Sequence, residues 1–204
     1  SIGVVVPHAL IAQFQVTVTY LFMVSLVVTG LVQLSFTRFV ADRIFAKDEA
    51  AILPNFNGLM LVAIGTCLVL GWPVVLLAFN GQTALYKSLF VMGLAIMAAI
   101  WVATVFLTGL KHYRAILLIF LLGYGATMVL ALFFRRYLGM EGLLLGFVIG
   151  HFLLLAGMVW LVYRNYHSNR FIAFDIWEKG AMYHSLMATG FMFNLGVWID
   201  KLIF

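Results

Sequence analysis

Ala115-Ile-Leu-Leu-Ile-Phe-Leu-Leu122 decides the fold. These eight residues carry no polar side chain, and their apolar character does not alternate. A strand of a membrane barrel would alternate polar and apolar positions over about 10 residues. A water-soluble helix would keep one polar face. Neither pattern is present, which leaves a helix surrounded by apolar material on all sides.

Working outward, the run extends over 115–134, and five more runs resemble it: 13–36, 56–79, 88–110, 142–163 and 182–204. Each is long enough to cross a hydrocarbon core, which takes about 20 residues. The first four runs in chain order hold no Asp, Glu, Lys or Arg. Composition agrees: the 204 residues are 65% hydrophobic and 9% charged, with mean hydropathy +1.13. Soluble domains carry about 25% charged residues. Within lipid every backbone N–H and C=O must be paired inside the protein, so the runs are expected to be helices. The expected fold is an all-α integral membrane bundle with six transmembrane helices and the bilayer as its solvent.

The net charge of +5 could suggest a nucleic-acid partner, but the cations sit in short gaps between apolar runs. They are unevenly divided. Arg38, Arg43, Lys47, Lys111, Arg114, Arg164, Arg170 and Lys179 fall in the gaps after the first, third and fifth runs. Lys87, Arg135 and Arg136 fall in the others. The excess of basic residues on the cytoplasmic side places 37–54, 111–114 and 164–181 in the cytoplasm. The first helix then starts outside, and an odd number of helices is expected upstream, with the chain a fragment. The segment 164–181, with Phe171, Phe174 and Trp177 among charges, is expected to form an interfacial amphipathic helix. The lone Cys67 supports neither a disulfide framework nor a thiolate metal site.

No hydrolase, zinc-protease or nucleotide-loop motif is present, so no catalytic residues, metal or cofactor are assigned. His151 and His184 could ligate a metal from two helices, or simply hydrogen-bond to neighbouring helices. Ser25, Thr29, Gln33 and Thr37 recur every four residues, followed by Arg38 and Asp42. This stripe suits either interhelical hydrogen bonds or the wall of a hydrated cavity. Gly142, Gly146 and Gly150 form a small-residue pattern for close helix packing. Pro73 is expected to kink the second helix. In the last run Asn194, Trp198 and Lys201 share a face beside Asp200. Charges there cost about 2.5–3.5 kcal/mol each to insert, so they read as a functional site unless they sit at the outer interface.

Three motifs carry a family resemblance: Leu34-Ser-Phe-Thr-Arg-Phe-Val-Ala-Asp-Arg43, Ile52-Leu-Pro54 and Asn194-Leu-Gly-Val-Trp-Ile-Asp-Lys201. They resemble the membrane subunit of Pel exopolysaccharide secretion, the PelG family, grouped with the multidrug/oligosaccharidyl-lipid/polysaccharide flippases. The resemblance implies about twelve helices, of which this chain holds the second to seventh. It implies export of a biofilm polysaccharide across the bacterial inner membrane, beside a glycosyltransferase and cyclic-di-GMP-responsive membrane subunits. Arg38, Asp42, Arg43, Asn194, Asp200 and Lys201 are the site candidates that match its motifs. Two other functions stay open: a lipid-linked oligosaccharide or drug exporter of the same superfamily, and a non-transporting scaffold of a synthase complex.

Overall fold

A computed structural model describes the backbone of residues 8–109, 113–178 and 183–203, and the side chains of 10–108, 113–178 and 183–199. It is all-helical, with no strand among the described residues. The helices are α1 (His8–Phe45), α2 (Ile52–Ala78), α3 (Ala84–Gly109), α4 (Tyr113–Asn165) and α5 (His184–Ile203), with short 3₁₀ turns at Glu49–Ala51 and Asp175–Trp177. Among the described residues, four stretches are long and apolar enough to cross a membrane: Leu10–Phe45, Glu49–Ala78, Ala84–Thr108 and Tyr113–Asn165.

α1 runs nine residues beyond the expected end of the first span, so Thr37, Arg38, Asp42 and Arg43 lie on helix instead of in a gap. Its charges sit four apart and pair along the helix, which lets it continue. It stops at Lys47, in the left-handed conformation with φ 58°. The Asp48 N–H then donates back to the Arg43 carbonyl at 2.9 Å, closing the last turn. Pro54 falls in the first turn of α2, where a missing N–H is harmless. Pro73 lies within α2. Thr83 caps α3 by accepting from the Tyr86 N–H at 3.1 Å.

The expected spans 115–134 and 142–163 both fall within α4, a 53-residue element broken at Gly139, where φ is 58° and ψ −121°. A side chain is poorly tolerated there, so glycine alone suits the position. Past it the second arm folds back along the first. Gly142 lies against Phe134, Gly146 against Ala131, Gly150 against Thr127, and Gly123 against Leu154. As one partner's number rises the other falls, which makes the arms antiparallel.

α3 is the centre of the bundle: over an apolar 18-residue stretch of each span, 72% of α3 is buried, against 33% for α1, 33% for α2 and 22% for α4. α1 runs parallel to it, with Thr17 at Tyr86 and Ser25 at Trp101. α2 runs antiparallel, with Phe79 at Phe90 and Phe56 at Phe106. The second arm of α4 is parallel, with Thr83 bonding Glu141 and Phe106 meeting Tyr166. Apolar residues such as Leu21, Phe36, Phe106, Leu144 and Met158 fill the spaces between. α5 packs antiparallel on α1. The ends of α1, of α3 and of the second arm of α4 therefore gather at one end of the bundle with the starts of α2 and α5.

The segment after α4 corrects one expectation. Its described residues 166–178 form an extended strap with one 3₁₀ turn, not an amphipathic helix; residues 179–182 lie outside the described set. α2 takes the strap's backbone groups instead. Ala173 N–H donates to the Pro54 carbonyl at 3.0 Å, and Asn57 Nδ2 donates to the Phe171 carbonyl at 2.8 Å. Gly58 leaves room for the strap to lie directly on α2, because a Cβ there would overlap the Ala173 carbonyl. Asn55, fully buried, donates to Asp175 at 2.9 Å and accepts from Ile176 N–H at 3.3 Å. Backbone groups spent this way cannot also form a helix.

Candidate functional site on α1 and α5

The polar stripe of α1 does not stay on one face. At 3.6 residues per turn, a four-residue step advances by about 40°. Ser25 and Thr29 are therefore buried, at 0% and 1% exposure, Ser25 against Trp101 of α3. Gln33 is half-buried and Thr37 exposed. The buried members are paired. Trp101 Nε1 donates to Ser25 Oγ at 3.0 Å, Thr29 Oγ1 donates to the Ser25 carbonyl at 2.7 Å, and Gln33 Nε2 donates to Thr29 Oγ1 at 2.8 Å. Thr37 donates to the Gln33 carbonyl at 2.9 Å and borders a cavity of about 350 Å³ with Val40, Ala41, Ile44, Phe45, Val105 and Phe106.

The charged end divides into two. Arg38 Nε pairs with Asp42 Oδ1 at 3.1 Å. Tyr183, at the start of α5, donates to Asp42 Oδ2 at 2.9 Å, and its ring lies 5.8 Å from the Arg38 guanidinium. Arg38, Asp42 and Tyr183 thus form a clasp between α1 and α5. Arg43 belongs elsewhere. It pairs with Asp48 at 3.0 Å and lies over the Phe39 ring at 5.0 Å. With Asp48, Arg170, Asp175 and Glu178 it borders a separate cavity of about 480 Å³.

Below the clasp the two helices meet glycine to glycine. A Cβ on Gly190 would overlap the Gly30 carbonyl, and one on Gly30 would stand 2.5 Å from Asn194 Nδ2. Asn194 donates to the Gly190 carbonyl at 3.1 Å. It is half-buried, as is Trp198 one turn on. The side chains of Asp200 and Lys201 lie outside the described residues.

His151 and His184 are not brought together by any described contact. His151 is 2% exposed on the second arm of α4. Its Nδ1 is 2.9 Å from the Phe147 carbonyl, its ring stacks on Phe147 at 3.9 Å, and its Nε2 has no partner among the described residues. His184 opens α5 and is exposed. No group of three or more His, Cys, Asp or Glu among the described residues could hold a metal ion.

Sequence reasoning missed Trp101, Tyr183, Gly30 and Gly190. Trp101 and Tyr183 meet residues 76 and 141 positions away. Gly190 stood four residues before Asn194, a spacing that could have drawn attention to it.

Long apolar helices folded around one buried helix, with polar groups reserved for seams and the two ends, define a helical membrane protein. Its family is shown by sequence. The chain belongs to the PelG family, described as "Putative exopolysaccharide Exporter (EPS-E)", whose model matches residues 1–204. No curated protein and no solved structure matches the chain.

Proposed function

We propose that this chain is the transporting part of an exporter that moves a Pel-like exopolysaccharide across the bacterial inner membrane for biofilm matrix. The observation that carries this reading is the family match over the whole chain. The chain crosses the bilayer six times, as part of a roughly twelve-helix, flippase-like protein. Two features support the count. A straight 53-residue helix would be on the order of 80 Å long, far beyond a hydrocarbon core of about 30 Å. The Gly139 reversal divides it into two arms of bilayer length. The end that gathers Arg38, Arg43, Arg164 and Arg170 faces the cytoplasm. There it meets a glycosyltransferase and cyclic-di-GMP-responsive subunits.

The transport path follows Gln33, Thr37, Arg38 and Asp42 on α1, and Asn194, Trp198, Asp200 and Lys201 on α5. Hydroxyl, amide and ionic groups of this kind can exchange hydrogen bonds with passing sugars, and rocking of one bundle against another would open the path to either side. Ser25 supports it from behind through its bond to Trp101, and Thr29 through its bonds to Ser25 and Gln33. Their dryness also favours a second reading, a non-transporting scaffold of a polysaccharide synthase complex.

Cysteine labelling in membranes separates the two, with Cys67 first replaced. A water-soluble thiol reagent is expected to modify cysteine at Thr37 and Gln33 and to spare cysteine at Ser25. Protection at Thr37 and Gln33 together would remove the hydrated path and leave the scaffold. Asp42→Asn and Arg38→Gln are expected to lower polymer export at normal protein levels.

A further inference from the structure

Two cavities meet at the charged end of the bundle, between α2 and the second arm of α4. One, of about 620 Å³, has a mixed lining in which Tyr163, Tyr166, His167, Ser168, Asn169 and Arg170 supply the polar groups, and no carboxylate borders it. The other, of about 190 Å³, is apolar and runs beneath it past Met60, Leu61, Ile64 and Val159. Asn57, Tyr163 and Phe171 border both, so the two lie side by side. Asn57 and Ile64 lie seven residues apart, so the apolar part follows α2 for about 10 Å along its axis. The roof is the strap, held by Asn57 Nδ2 on the Phe171 carbonyl, with the Tyr163 hydroxyl donating to Asn57 Oδ1 at 3.0 Å.

The depth of this double cavity in the bilayer can be read from its neighbours. Trp160 is well exposed, with the Arg164 guanidinium 5.2 Å from its ring centre. Exposed Trp and Tyr mark the headgroup level, and arginine there reaches for water and phosphate. Phe171 is 70% exposed beside Arg170, an apolar ring at the same level. Arg170 forms no ion pair among the described residues, although its other side borders the cavity that also holds Asp48, Asp175 and Glu178. Burial, with Glu49 nearby, pushes the Tyr166 phenol above its ordinary range, so it stays protonated and able to donate a hydrogen bond.

We infer that this double cavity binds an anionic phospholipid, with its headgroup phosphate at Arg170 and the Tyr166 hydroxyl and one acyl chain along Met60, Leu61 and Ile64. Charge fixes the upper half of the ligand and shape the lower half. A free anion would leave the apolar part empty, and a zwitterionic lipid would lack the net charge that Arg170 selects. The occupant would pin the strap to α2 and so steady the end of the bundle where the Arg38–Asp42–Tyr183 clasp lies. The inference needs only that the protein sits in a membrane, and it stands whether or not the cargo is a polysaccharide.

Native mass spectrometry of the full chain, exchanged from detergent into mixed phosphatidylglycerol and phosphatidylcholine, tests it. Wild type is expected to retain phosphatidylglycerol in preference to phosphatidylcholine. Arg170→Gln, on the exposed strap, should lower phosphatidylglycerol retention about fivefold and leave phosphatidylcholine unchanged. Ile64→Trp, which fills the apolar part, should lower retention of both. Excess inorganic phosphate should displace neither lipid. Equal phosphatidylglycerol retention by wild type and Arg170→Gln would overturn the headgroup site. No effect of Ile64→Trp would overturn the acyl groove. Displacement of phosphatidylglycerol by inorganic phosphate would reduce the site to one for simple anions and overturn the lipid.

Discussion

The two glycine seams of this molecule are built from the same device and end differently. In the α4 hairpin, Gly142, Gly146 and Gly150 lie against Phe134, Ala131 and Thr127, so that one arm rests on the backbone of the other. The seam is dry, and Thr127 returns its hydroxyl to the Gly123 carbonyl at 2.8 Å. In the α1–α5 seam, Gly30 and Gly190 meet as closely, but Asn194 stands beside them and the exposed Arg38–Asp42–Tyr183 clasp closes one end. Glycine contact brings backbones together in both. What is put around the contact decides whether it is a permanent joint or one that can open. Backbone packing without polar alternatives has a single good arrangement, whereas a seam closed by exposed polar groups can exchange them for water.

The largest effect expected from this contrast is at Gly146. Gly146→Leu must push a whole side chain into the Ala131 backbone, which cannot yield as a side-chain tip can. Overpacking typically costs about 1–3 kcal/mol, and this site belongs at or beyond the upper end. Unfolding in mixed micelles of increasing dodecyl sulfate should show it. A variant as stable as wild type would mean that the arms are not joined at their glycines.

Gly139→Ala comes next. Nothing lies within 4 Å of a Cβ there, so crowding contributes nothing and the whole effect is backbone conformation. At φ 58° and ψ −121° it is expected to cost about 1–3 kcal/mol in the same titration. Gly125→Ala, also open but within a regular helical stretch, is the matched control and should be neutral or slightly stabilising.

These sites show how much of the molecule was legible beforehand. All-helical architecture was legible, because 20-residue runs without charge have no other way to pair their backbone in lipid. The glycine repeat on α4 was legible as a pattern, since both its period and its residue type are local. The exact site of the Gly139 reversal was not, because Arg135, Arg136 and Glu141 read simply as a polar gap. The stripe on α1 was legible as spacing but not as outcome. Four-residue steps drift around a 3.6-residue helix, so Ser25 and Thr37 ended in opposite environments. Tyr183 was illegible, because nothing in its neighbourhood announces that Asp42 will be its partner. The grouping of Arg38, Asp42 and Arg43 was legible only as a run of charges; their division between α5 and Asp48 is a tertiary fact.

Gly190→Val sharpens the comparison from the other side. The added side chain overlaps the Gly30 carbonyl nearly as closely as at the hairpin, but α5 packs chiefly on α1. The loss should therefore stay local. Hydrogen exchange is expected to rise through α5 while α2, α3 and both arms of α4 keep their protection. Loss of protection throughout the bundle would make α5 part of the core and erase the difference between the seams.

The smallest effect is expected at the clasp, and it is the one that speaks to motion. Tyr183→Phe removes the hydroxyl that bonds Asp42 and leaves the ring beside Arg38. Both charged partners are well exposed, so water can replace the lost bond, and the melting transition should not move. What should change is the balance between closed and open positions of the first turn of α5. Losing one hydrogen bond of ordinary strength is expected to speed exchange of those amides about threefold, with the amides around Gly190 unchanged. Asp42→Asn keeps an acceptor for Tyr183 but loses the attraction to Arg38, so it should have an intermediate effect. Identical exchange in wild type and Tyr183→Phe would mean that the glycine contact alone holds α5. The two seams would then differ in their surroundings but not in their freedom to move.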